Sequence, residues 1–232
     1  MPRGASAFSP LRLLFDGVAV LSLALCLAFL ALPLVAVFLR IPIERLIRQL
    51  ASDVAVDALL VTAKTSAIAQ LTILGVGTPA AYLLAIKAFR GRSLVVTLIE
   101  LPLVLPPAVA GIALLVAFGR LGLLGGTLSK LGIEVGFTQA AVVMAVLFVA
   151  GPFYLRQAIA AFQAVDGDLL AASRTLGAGP ARTFWRVALP LAARGLAAGL
   201  ALSFARGVGE FGATLFFAGS FPGVTQTLSL AI

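Results

Sequence analysis

The sequence predicts an all-α, polytopic membrane protein of about five to six transmembrane helices, with one polar loop outside the bilayer. Three observations predict it. Hydrophobic residues make up 61% of the chain and charged residues only 11%, a balance outside the range of soluble domains. Five apolar runs approach or exceed the roughly 20 residues that a membrane helix needs. Between the last two of them lies DGDLLAASRTLGAGPARTFWRVALPL, residues 166–191, a polar stretch carrying Arg174, Arg182 and Arg186. The 232 residues are read as a single transmembrane domain.

The first helix is assigned to residues 18–39, behind Arg3 and Arg12. This run is longer than the core of a signal peptide, and no small-residue cleavage site precedes Arg40, so it is read as retained. Residues 41–57 place Ile43, Leu46, Ile47 and Leu50 at helical spacing with charges between, the pattern of a helix lying on a membrane surface. A second apolar run, residues 58–86, ends at the basic cluster Lys87, Arg90 and Arg92. The third, residues 94–118, contains Pro102, Pro106 and Pro107. Each proline withdraws a backbone donor, so this helix should break where it faces protein or water. The glycine-rich residues 119–136 read as a loop, and residues 139–155 as the fourth run, with Arg156 opening the polar segment. A fifth run, residues 191–218, is interrupted by Gly207, Gly209 and Gly212. Residues 221–232 begin a sixth helix that stops almost at once, so the last helix reads as incomplete.

Within residues 166–191 the pattern is helix, glycine stop, helix. Asp168 suits the first N-terminus, Gly177 a left-handed C-terminal residue, and Pro180 the first position of the second helix. So short a motif has little core of its own, which implies that it docks on a partner. Alternating the loops across the membrane from an inside N-terminus puts Arg3, Arg12, Lys87, Arg90, Arg92, Arg156, Arg174, Arg182, Arg186 and Arg194 on the cytoplasmic side. Arg40, Arg45, Arg48, Arg120 and Lys130 fall outside. The excess places the loop, and the partner it needs, in the cytosol.

Composition narrows the chemistry. The net charge of +8 follows from membrane topology, and no basic arm or aromatic-studded basic surface points to nucleic acid. With no histidine and only Cys26, the usual zinc, haem and iron–sulfur ligand sets cannot be assembled. None of Lys64, Lys87 and Lys130 follows a glycine-rich phosphate loop, so the chain has no Walker motif for ATP. Glu100, Glu210, Asp166 and Asp168 are scattered and form no carboxylate pair. Intramembrane charge is more informative. Arg206 and Glu210, four apart, share a helix face and can neutralise each other, either as a structural lock or along a pore. Lys64 and Glu100 are read as lying near helix ends, with their charges reaching the interface.

These residues resemble a known family, the transmembrane permease subunits of ABC importers that work with a solute-binding protein. AASRTLGAGPARTFWRVALPLA, residues 171–192, is similar to that family's cytoplasmic EAA loop, with Gly177 as its glycine and Leu189-Pro190 as its closing pair. Ala171, or Leu170 if the register slips by one, stands where the family has glutamate. LPLVLPPAVAGIALLVAFGRLGLLG, residues 101–125, and FARGVGEFGATLFFAGSFPGVTQTLSLAI, residues 204–232, look like the molybdate branch more than the GEYGS form of sulfate permeases. The likeness runs from about residue 59 onward and defines a permease core at 58–232.

The resemblance implies a permease homodimer in the cytoplasmic membrane, two cytosolic ABC ATPase subunits that hold ATP and Mg, and an extracytoplasmic oxyanion-binding protein. The chain itself would bind no cofactor, perform no chemical step and meet membrane lipid. The ATPase-coupling residues would be Asp168, Leu169, Ala172, Ser173, Arg174, Leu176 and Gly177, with Leu169, Ala172 and Leu176 on one face. A translocation pathway is assigned to Pro106, Pro107, Arg206, Glu210 and Thr214. Molybdate and tungstate are not distinguished at this level. Sulfate or thiosulfate transport remains open, as does a channel or scaffold subunit that moves nothing by ATP.

Overall fold

The computed structural model describes residues 10–40 and 42–231, with side chains throughout except at 10–13, 43, 45 and 46. Arg3 and the side chains of Arg12, Ile43, Arg45 and Leu46 thus lie outside the described residues. The chain divides into two units, residues 1–52 and residues 53–232. The first holds α1 (Pro10–Arg40) and α2 (Ile43–Leu50). Helix α1 is apolar along its length, with outward side chains such as Leu21, Phe29 and Phe38.

The second unit is built around α7 (Gln139–Gln163), which packs against α3 (Asp53–Ile86), α4 (Arg92–Val104) and α5 (Pro107–Phe118), and later against α10 (Leu189–Val208) and α11 (Gly212–Ala218). Short helices α6 (Gly125–Lys130), α8 (Gly167–Thr175), α9 (Pro180–Thr183) and α12 (Leu228–Ala231) lie between or beyond these. Among the described residues no strand occurs. Four segments are long and apolar enough to cross a membrane: Leu14–Arg40, Asp53–Ile86, Gln139–Gln163 and Pro180–Val208. The pair α4–α5, bent by 116°, makes a fifth if it counts as one span. The protein is therefore an all-α, multi-pass membrane protein.

Helix α7 serves as the hub because small residues let its neighbours approach. Its second half sits in a cluster with Ile73, Leu84 and Leu196 around the fully buried Tyr154. Its first half packs Val142 and Val149 against Leu114 and Phe217. The Thr78 hydroxyl already donates to the Leu74 carbonyl at 2.6 Å, so the Tyr154 hydroxyl must be the donor in its 2.5 Å contact with Thr78. That bond satisfies the one polar atom that Tyr154 brings into the core.

Several boundaries differ from those the sequence suggests. Helix α7 runs two turns past Leu155, because Ala158, Ile159 and Phe162 continue its buried face while Arg156 stays exposed. Helix α3 starts at Asp53, whose negative charge suits a helix N-terminus, and so Lys64 lies well inside the helix rather than at its end. Glu100 pairs with Arg156 at 3.7 Å across α4 and α7, an exposed contact worth little energetically. The glycine-rich residues 119–136 are not all loop, since they contain α6. The second helix of the polar segment and the fifth apolar run are one continuous helical path, 180–208, with a π turn at Phe184–Ala188. Pro190 explains that turn. It has no N–H for the Arg186 carbonyl and its ring crowds that group, and a widened turn relieves both.

Candidate functional site

Two places gather the residues singled out from sequence. The first is α8 and the turn after it. Asp166, rather than Asp168, caps the helix: its Oδ1 accepts from the Asp168 backbone N–H at 2.9 Å, and Asp168 occupies the first turn. At the other end Gly177 has φ +80°. Its N–H donates to the Arg174 carbonyl at 2.9 Å, and the Ala178 N–H donates to the Ser173 carbonyl at 3.0 Å, the paired bonds of a Schellman stop.

This helix lies over the bundle on a single inward anchor, Leu170, which is 8% exposed and joins the cluster around Tyr154. A second tie is polar. Ser173 Oγ lies 3.0 Å from the hydroxyl of the fully buried Thr183, and it donates to the Leu170 carbonyl at 2.8 Å. One hydroxyl proton serves each oxygen, so Thr183 is the donor between the two. Leu169 and Leu176 turn outward, 49% and 86% exposed. Together with Ala172, Ser173, Arg186 and Pro190, they line a shallow apolar groove of about 440 Å³. The structure thus brings Leu169, Ala172, Ser173 and Leu176 to one surface, while Asp168, Arg174 and Gly177 do not line it.

The second place is a joint between two broken helices. Helix α4 ends before Leu105 and Pro106, and α5 begins at Pro107. On the other side α10 ends at Val208, and α11 begins at Gly212 after the break at 209–211. The breaks touch: a Cβ on Gly212 would stand 2.8 Å from Pro107 Cβ and 3.0 Å from the Ala108 backbone nitrogen. A Cβ on Gly111, one turn along α5, would stand 2.7 Å from the Ala213 carbonyl oxygen. Only glycine permits this approach at either position.

Glu210 organises the joint. Its side chain is 1% exposed, and Oε2 lies 2.7 Å from Nη1 of Arg206, whose side chain is 28% exposed. Oε1 accepts from the Ala213 N–H at 2.7 Å and so caps α11, a role the sequence does not announce. The Glu210 carbonyl accepts from Ser229 Oγ at 2.6 Å, and the Leu228 N–H donates to Thr62 Oγ1 on α3 at 2.8 Å. The first turn of α12 is thereby strapped to both α3 and the break. Thr214 is fully buried one turn beyond Glu210, and its hydroxyl has no partner among the described residues. On the facing helices Gln70 Nε2 donates to Ser203 Oγ at 3.4 Å, and Ser203 donates to the Ala150 carbonyl at 3.0 Å, while Gln70 Oε1 is unpartnered. Of the assigned pathway residues, Pro107 touches Gly212 across the joint, Arg206 and Glu210 pair beside it, Thr214 is buried within α11, and Pro106 caps α5.

The contacts missed from sequence are the Gly111 and Gly212 approach, the Ser229 and Thr62 strap and the Leu170 anchor. Only the last had a legible signal, as the apolar residue facing away from Leu169 and Ala172.

Comparison with known proteins gives the chain a family. The family described as "Binding-protein-dependent transport system inner membrane component" matches residues 77–232. A protein of Mycobacterium tuberculosis, "Molybdenum transport system permease protein ModB", is 45% identical over 206 residues, 89% of this chain and 78% of its own length. The ModB protein of Escherichia coli is 41% identical over 177 residues, 76% of this chain and 77% of its own. "Sulfate transport system permease protein CysW" of Synechococcus elongatus is 39% identical over 156 residues, 67% of this chain and 54% of its own.

Proposed function

Since the chain belongs to the family of binding-protein-dependent transport system inner membrane components, we propose that it is the permease subunit of an ABC importer for molybdate or tungstate. In this reading α8 is the coupling helix, seated in a cleft of a cytosolic ATPase, and the N-terminus lies in the cytoplasm. The observation that carries the reading is the build of α8: a capped, glycine-stopped helix, fixed beneath by Leu170 and Thr183, that turns Leu169 and Leu176 outward.

The helix is tied to α9, and α9 continues through the π turn into α10, which carries Arg206 and ends at Val208, just before Glu210 in the break. Displacing α8 when ATP closes the ATPase dimer therefore pulls on the helix whose far end is the joint. The joint, two breaks in glycine-close contact, is the element that changes between inward and outward access. Two permease copies form the pathway, and an extracytoplasmic binding protein delivers the oxyanion. ATP and Mg reside on the ATPase, and this chain performs no chemical step.

Glu210 serves to hold the joint and Arg206 to meet the passing anion. A guanidinium already paired with a carboxylate binds a dianion weakly, as transport requires. The relatives named for molybdenum transport cover more of this chain, at higher identity, than the sulfate relative does. The experiment is uptake into vesicles holding the permease with its ATPase and binding protein. Molybdate accumulation blocked by tungstate and untouched by excess sulfate is expected. Accumulation of sulfate in its place would give the chain to the sulfate branch, and flux without the ATPase would make it a channel.

A further inference from the structure

On the face of the larger unit, α3 and the start of the 180–208 span leave a groove of about 690 Å³, a size that takes a small ligand. Its walls are apolar: Leu71, Leu74 and Pro79 from α3, and Phe184, Trp185 and Leu189 from the facing helix. Tyr82 gives it a rigid end, with its ring 5.2 Å from that of Phe162 and 4.8 Å from that of Phe184. The π turn begins at Phe184 and includes Trp185, which is 65% exposed. Gly75 opens the wall, since nothing lies within 4 Å of where its Cβ would be.

Every lining residue belongs to a segment long and apolar enough to cross a membrane. Where the walls meet at Tyr82 and Phe184, each is flanked in sequence by an exposed cation. Lys87 follows α3 just beyond Tyr82, and Arg182 precedes Phe184 and Trp185. No carboxylate lines the groove. The groove has ten lining residues, well short of the roughly 20–30 a side that a stable protein interface engages. We propose that the groove binds one acyl chain of an anionic phospholipid, with Arg182 and Lys87 holding the phosphate and Trp185 closing the mouth. The occupant bridges α3 to the helix that continues from the α8 loop. Its influence on coupling rests on the transport reading above, but its binding does not.

Trp185 is the only tryptophan in the sequence, which makes it a built-in reporter. The full chain is placed in phosphatidylcholine vesicles, and tail-brominated phosphatidylglycerol or tail-brominated phosphatidylcholine is titrated in while Trp185 fluorescence is read. Quenching by the anionic lipid at lower mole fraction is expected, with a preference of about fivefold for each cation engaged. Arg182→Gln, at an exposed position, should lose about fivefold of that preference. Gly75→Leu, which grows into open space, should weaken quenching by both lipids. Equal quenching by the two headgroups, or a preference unchanged in Arg182→Gln, would overturn the proposal. So would shielding of Trp185 from both lipids, which would assign the groove to a second copy of the chain. None of these readings depends on an ATPase, so the lipid site and the transport function fail separately.

Discussion

Arg206 and Glu210 show how one residue pair is legible in sequence while its purpose is not. Their spacing announces an ion pair, but only the structure reveals that the carboxylate is nearly fully buried and also caps α11. Removing Arg206 alone leaves that buried charge with one donor, so Arg206→Met should lower stability by about 3 kcal/mol. The double variant Arg206→Met/Glu210→Gln should recover at least about 1 kcal/mol of it, because Gln keeps an acceptor for Ala213 and brings no charge. Thermal midpoints in detergent for the four members of the cycle check this, and strict additivity would contradict it. Leu170 and Leu176 separate packing from docking in the same way. Leu170→Ala should cost about 2–4 kcal/mol of stability. Leu176→Ala, at an 86% exposed position, should stay within about 0.5 kcal/mol and instead weaken ATPase binding, measured by co-purification. That contrast also bears on the register of the loop: the buried Leu170 has no room for a hydrated charge, and the exposed Ala171 is where a glutamate would fit.

The elements were readable where a residue type forces the backbone and unreadable where packing decides. Pro106 and Pro107 announce the α4–α5 break, and Gly177 announces the stop of α8, since each acts through its own dihedral angles. Arg156 looks like the end of α7 until its exposure and the buried Ile159 and Phe162 are seen. The π turn has no sequence signature of its own, and Pro190 supplies the reason only afterwards. The contact between the two breaks was invisible, because glycines four residues or a hundred apart carry no mark of meeting. It yields a prediction: Gly212→Ala and Gly111→Ala each force a methyl onto backbone atoms of the other helix and should cost about 1–3 kcal/mol, read as a drop in thermal midpoint. A midpoint equal to wild type in both would mean that the helices do not approach as described.

At the scale of the whole molecule, hydrophobic content and run lengths were enough to specify an all-α membrane protein. The similarity of residues 77–232 to a transport family gives the chain its class, and on the reading proposed above the α8 loop is a link to an energy source rather than a polar interruption. What composition could not supply is the path of that link, through Leu170 and Thr183 into α9, α10 and the joint. Gly177 is the place to interrupt it. Its surroundings are open, with nothing within 4 Å of a built Cβ, so a substitution there acts through φ alone. Asparagine tolerates the left-handed region and valine does not, a difference of about 1 kcal/mol or more for a β-branched side chain. The measurement is substrate-stimulated ATP hydrolysis by the reconstituted permease and ATPase, with binding protein and molybdate, for wild type, Gly177→Asn and Gly177→Val. Stimulation retained in the asparagine variant and lost in the valine variant, with both inserted normally, is the result expected if α8 couples hydrolysis to transport. Stimulation at the wild-type level in Gly177→Val would contradict it.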